Sequence, residues 1–155
     1  MRIARPRPMS GFRVVREGPV RYVTLPDTPI RSPRDVVELL GPLYEDEDVE
    51  VFGFLPLNVQ HNLIQGPIIV TRGILDASLV HPREVFRAAF KLHDSGPAAL
   101  ILFHNHPSGD PSPSPDDRTV TAQLVAAGRL LDVPVHDHII IGRGRYVSFA
   151  EAGLM

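Results

Sequence analysis
The feature that most constrains this chain is Ala98-Ala99-Leu100-Ile101-Leu102-Phe103, an unbroken apolar run that leads straight into His104-Asn105-His106. The run is short, and its neighbours are rich in Gly, Pro and Ser. It therefore reads as a strand buried on both faces rather than a helix. Imidazoles at the end of such a strand need partners, because an unpaired polar group is costly to bury.

The segments on either side supply the covering layers. Ser32-Pro33-Arg34-Asp35 reads as a helix start, with Ser32 as N-cap and Pro33 at the first helical position. Val36, Val37, Leu39 and Leu40 give that helix an apolar face, and Gly41-Pro42 is expected to end it. Two strands follow over 49–57 and 63–71, joined through Asn58-Val59-Gln60-His61-Asn62 as a hairpin. A helix over 82–93 precedes the apolar run, and a Pro/Ser/Gly-rich loop over 104–115 follows it. A helix from about Asp116 to Leu131, a strand over 134–141, the turn Gly142-Arg143-Gly144 and a strand over 145–148 complete the pattern. Strands separated by helices imply crossover units and an α/β sheet covered on both faces. Ligands in such sheets sit at the carboxyl ends of strands, which is where His104 falls.

Composition narrows the class. A chain of 155 residues, 43 % hydrophobic and 22 % charged, fits one globular domain of ordinary size. No apolar stretch is long enough to span a membrane. The first residues are basic but lack an apolar run and a small-residue cleavage site, so no secretory signal is read and a cytoplasmic location is expected. Absence of cysteine excludes disulfides, thiolate catalysis and Cys-based zinc sites. Net charge is only −2, yet arginines crowd residues 2–34 and an acidic run, Glu45-Asp46-Glu47-Asp48 and then Glu50, follows. Residues 1–29 are expected to be a basic, Pro-rich extension, disordered over 1–10, with short strands between Phe12 and Thr24. Such an arm can touch nucleic acid or an acidic partner. Its interrupted arginines, with no aromatic interleaving, fit a solvated tail better. Residues 30–155 are expected to form the domain proper.

His104 and His106 stand at i and i+2, so in an extended segment both rings point the same way and can reach one ion. Imidazole plus carboxylate suits zinc, and a hydrolytic zinc keeps three protein ligands and one open position. Ser114-Pro115-Asp116-Asp117 offers two carboxylates for the third place, and Asp110 is a further candidate. The same four residues also read as a helix-capping box, with Ser114 as N-cap and Asp117 reaching back. Taken alone, capping explains them better. Placed after a buried strand that ends in two histidines, ligation and capping stand level.

His104-x-His106, seven residues, then Ser114-x-x-Asp117 resembles the JAMM (MPN+/JAB) metalloprotease signature. The string His104-Asn105-His106-Pro107-Ser108-Gly109 is similar to its RadC branch, as are Ser32 to Val36, Val80 to Phe86 and Asp137 to Gly142. The resemblance covers roughly Ile30 to Met155. It implies a three-layer α/β/α fold with a mixed sheet, cytidine-deaminase-like, in the order α-β-β-α-β-α-β-β. It implies one zinc ion per chain on His104, His106 and Asp117. Ser114 is implied to steady the tetrahedral intermediate, and an upstream glutamate, matched by Glu50, to act as general acid and base. The implied reaction is hydrolysis of a peptide or isopeptide bond, with a protein substrate such as a ubiquitin-like tail.

Typical RadC chains start with a helix-hairpin-helix region, for which residues 1–29 are too short, so DNA contact by that route is not expected. Two rival functions remain at this level. A metal-dependent nuclease tied to DNA repair would need a basic surface near the metal, whereas the arginines cluster upstream. A non-catalytic interaction module usually loses ligands that this chain retains. His136-Asp137-His138 is a second pair of alternating histidines with no serine or acid at suitable spacing. It reads as structural, with His138 hydrogen-bonded in the core. His81 reads as a cap or loop residue, and Asn105 and Ser108 as groups that orient the ligands. Pairing of the arm with a second copy would make a homo-oligomer.

Overall fold
A computed structural model describes the backbone of residues 11–14, 21–73, 80–92 and 96–155, and side chains from Thr24 onward within those spans. The disorder expected over 1–10 lies outside the described residues. Two short strands, β1 (Gly11–Val14) and β2 (Arg21–Thr24), pair antiparallel with each other. The rest runs α1 (Pro33–Tyr44), β3 (Val51–Leu57), β4 (Ile68–Arg72), α2 (Pro82–Phe90), β5 (Ala99–Asn105), α3 (Pro115–Leu130), β6 (Val135–Ile141) and β7 (Tyr146–Ser148). This is the expected element order.

The five long-range strands form one mixed sheet in the order β4-β3-β5-β6-β7. The apolar run is its central strand. β5 pairs antiparallel with β3 and, through the α3 crossover, parallel with β6. Period-two alternation sorts the side chains into two layers. Ile101 and Phe103 join Val51, Leu55, Ile139 and Ile141 under Val36, Leu40 and Tyr44 of α1. Leu100 and Leu102 join Phe52, Phe54 and Val135 under Val85 and Phe86 of α2 and Val120 and Leu124 of α3. The molecule is therefore a three-layer α/β/α sandwich. His104 continues the parity of Leu100 and Leu102, which turns it toward α3.

Three local expectations are corrected. Helix α1 does not stop at Gly41-Pro42 but runs to Tyr44. Proline has no N–H for the carbonyl four residues back, and that residue, Glu38, lies on the exposed face where water can serve its carbonyl. Burial of Leu43 and Tyr44 draws the last turn onto the sheet. Strand β4 begins at Ile68, not Leu63. The Gly66-Pro67 step interrupts the ladder, and Leu63 keeps only an isolated bridge to Leu57. Strand β5 also extends past Phe103 to include His104 and Asn105.

Candidate metal centre
Three elements converge where β5 leaves the sheet. β5 supplies His104, wholly buried, and His106 follows it on the same side. Antiparallel pairing sets Phe52 opposite His104, so Glu50, two residues earlier, comes opposite His106. The Phe52 ring lies against the His104 ring at 5.9 Å. Helix α3 opens beside them and brings Asp117 at its third residue.

The result is one cluster of Glu50, His104, His106 and Asp117, whose ligand atoms all lie within 4.8 Å of one another. His104 Nε2 is 2.9 Å from His106 Nε2, 3.3 Å from Asp117 Oδ1 and 3.7 Å from Glu50 Oε1. His106 Nε2 is 3.3 Å from Asp117 Oδ2. A tetrahedral ion with bonds of about 2.1 Å holds its donors about 3.4 Å apart, so these spacings suit a zinc-sized cation. The donor chemistry agrees. His106 Nδ1 sits 2.8 Å from the Asp110 carbonyl, which can only accept, so the neutral ring carries its hydrogen there and leaves Nε2 bare. That lone pair and the carboxylate oxygens of Asp117 and Glu50 are all acceptors, a set that fits a cation.

Charge follows the same geometry. Burial pushes the His104 imidazole below its ordinary value, though Asp117 opposes the shift. Burial also works against a charged His106, but its bonds to Asp117 and to the Asp110 carbonyl carry it above the usual value. For Asp117, burial alone would raise the pKa. The two imidazoles overcome that and hold the carboxyl well below the usual carboxylate range.

The loop between His106 and α3 is fastened at several points. Its first turn closes with a bond from Gly109 N to the His106 carbonyl, 2.9 Å. Gly109 has φ +86°, which favours glycine. Gly142, just past β6, lies so close that a Cβ there would meet the Gly109 carbonyl at 2.4 Å. Arg145 donates to that same carbonyl at 3.2 Å.

Ser114 is the N-cap of α3. Its Oγ accepts from Asp117 N at 3.0 Å, while Asp117 Oδ2 accepts from Ser114 N at 2.8 Å. The capping box and the cluster thus share one residue. Asp110 and Asp116, the rival carboxylates, are exposed and stand outside the cluster. His81 occupies the N-cap position of α2 but makes no side-chain capping bond.

Several contacts behind the cluster were not read from the sequence. The Asn105 side chain accepts from Val51 N at 2.7 Å and donates to Val49 O at 3.0 Å, so it straps the backbone on both sides of Glu50. His138 Nε2 lies 2.8 Å from His104 Nδ1. Thr121, one helical turn after Asp117, reaches His138 Nδ1 at 2.6 Å, and that spacing was the available signal. The two histidines of the second pair do not share a face. The β5–β6 register shifts beside Leu100, setting Asp137 rather than His136 opposite Ile101. His136 is left exposed while His138 is wholly buried.

Among the described residues, no helix is long and apolar enough to cross a membrane. Residues 30–154 match the RadC-like JAB domain family. The chain is 46 % identical over 134 residues to a UPF0758 protein of Methanosarcina mazei, covering 86 % of this chain and 57 % of the relative. It is 48 % identical over 128 residues to a UPF0758 protein of Methanococcoides burtonii, covering 83 % and 54 %. A UPF0758 protein of Symbiobacterium thermophilum is 46 % identical over 124 residues, covering 80 % and 51 %. This chain therefore spans about half the length of the curated relatives it matches. With the family model matching most of the chain and these relatives nearly half identical over four-fifths of it or more, the chain belongs to the RadC-like JAB domain family.

Proposed function
We propose that this chain is a metal-dependent hydrolase that cleaves a peptide or isopeptide bond, with one zinc ion held by His104, His106 and Asp117. The observation that carries the reading is the convergence of acceptor atoms from two imidazoles and two carboxylates at zinc-like spacing. Zinc so held would lower the pKa of a coordinated water toward about 7 and polarise a carbonyl.

The chain's own residues supply the rest. Glu50 sits at the rim of the cluster, its side chain 16 % exposed and Oε1 3.7 Å from His104 Nε2. From there it takes a proton from the attacking water at a carboxylate oxygen and returns it to the leaving amine. Ser114 Oγ already accepts from Asp117 N. Its remaining hydrogen is free to be donated to charge developing on the substrate carbonyl oxygen. Burial of His104 and Asp117 keeps water from competing for these contacts.

The test is a peptide-library cleavage screen on the zinc-loaded protein, with Glu50→Gln as control. Cleavage by the wild type and a loss of at least about 100-fold in Glu50→Gln are expected. Equal activity in Glu50→Gln would refute the role of Glu50. Zinc-dependent DNA cleavage without peptide cleavage would refute the substrate class.

A further inference from the structure
We propose that His138 and Thr121 are positioning residues that fix the tautomer of His104, so that its Nε2 lone pair faces the metal position. The proposal rests on the reading of His104 as a ligand and adds what makes it one.

The direction of each hydrogen bond follows from which atoms can donate. Thr121 Oγ1 lies 2.6 Å from the Asp117 carbonyl and 2.6 Å from His138 Nδ1. A carbonyl only accepts, so the single hydroxyl hydrogen goes to Asp117, the usual back-bond of a helical threonine. The hydroxyl oxygen is then an acceptor, and His138 must present Nδ1–H to it. A neutral imidazole has one N–H, so His138 Nε2 is bare. It stands 2.8 Å from His104 Nδ1, which must therefore be the donor. The one hydrogen of His104 is thus spent on the side away from the cluster.

Reversing the chain has a clear cost. It would set Thr121 Oγ1 and the Asp117 carbonyl oxygen 2.6 Å apart with no hydrogen between them, and aim an N–H of His104 at the metal position. Water cannot relieve this, since His104 and His138 are wholly buried and Thr121 is 1 % exposed. The His138 ring has little freedom to turn. It stacks on Phe149 at 4.8 Å and meets Phe52 edge-on at 5.5 Å.

The two imidazole ligands differ in how they are set. His106 is fixed by a backbone carbonyl, an acceptor in every state. His104 leans on a second imidazole, which accepts only in one tautomer. A carboxylate, carbonyl or water usually fills that place behind a ligating histidine. Here the choice is made by one hydroxyl on α3, a turn beyond Asp117. The helix that carries the carboxylate ligand also sets the first imidazole.

The test reads ring tautomers directly by nitrogen–proton correlation NMR on histidine-labelled, metal-free protein, together with zinc titration. In the wild type, both His104 and His138 should show Nδ1–H with bare Nε2. Thr121→Ser keeps the hydroxyl and should keep both the pattern and the affinity. Thr121→Val should release His138, mix the His104 tautomers and weaken zinc binding about 10- to 100-fold. Nε2–H on His104 in the wild type would overturn the proposal, as would a Thr121→Val protein unchanged in tautomer and affinity. The metal-free spectrum stands apart from hydrolysis. Failure to find a substrate would leave the tautomer result standing, and a wrong tautomer would not by itself remove the metal.

Discussion
Asp117 shows why two readings of one residue did not have to compete. A carboxylate has two oxygens, each with room for more than one donor. Oδ2 takes Ser114 N and faces His106, while Oδ1 faces His104. From the sequence, Ser-x-x-Asp taken alone reads better as a capping box, and only the preceding histidines bring ligation level with it. In the structure the same carboxylate both caps α3 and joins the cluster. His138 was legible as a core residue but not as a partner of His104, since that contact depends on β5–β6 register. Its burial yields a prediction. Its folded-state pKa is pushed well below the ordinary 6.5 by desolvation, then by His104. The unfolded chain therefore binds the proton more readily, and the stability this ring contributes is present above pH about 6.5 and lost as pH falls. Raised His106 acts with the opposite sign, so the comparison is made against His138→Gln. Between pH 7.5 and 5.5, metal-free wild type should lose on the order of 1 kcal/mol more than the variant in urea unfolding. Parallel pH profiles would contradict this.

At the scale of elements, the strands and helices around the site were legible because their patterns are strong. The apolar run, the two Ser-Pro helix starts and the Ile-rich β6 each announce themselves over a few residues. What was not legible depends on pairing across distance. The shift that sends His136 outward, the start of β4 at Ile68, and the tie between Asn105 and residues 49 and 51 all need the sheet assembled. That tie matters because it fixes the backbone at residues 49 and 51, on either side of Glu50. Asn105 is nearly fully buried and satisfies one donor and one acceptor of the β3 entry. Replacing it with alanine leaves both groups without their partner and should cost about 1–3 kcal/mol. Amide hydrogen exchange at Val51 should speed up in Asn105→Ala by more than at Leu55, farther along the same strand. Equal protection at both positions would show that the strap does not hold Glu50.

On the scale of the molecule, the sheet order explains why residues 50, 104, 106 and 117 meet in one cluster. β5 is central, so its end is flanked by β3 and by the start of the α3 crossover, and the three chain segments meet at one point. α1 lies on the opposite face, leaving the α3 side to the cluster. The α/β/α layering and the element order could be read from alternation of strand and helix. The neighbour relations β4-β3-β5-β6-β7 could not, because strands of this length carry no label of their partners. The central claim is that the fold assembles a single zinc site from these segments. Its most direct test is zinc content per chain, by mass spectrometry, after loading and exhaustive dialysis at pH 7.5. The account predicts one zinc per wild-type chain, one in Glu50→Gln, and near none in His104→Ala or Asp117→Ala. Wild-type protein that retains no zinc, or His104→Ala that retains as much as wild type, would contradict it.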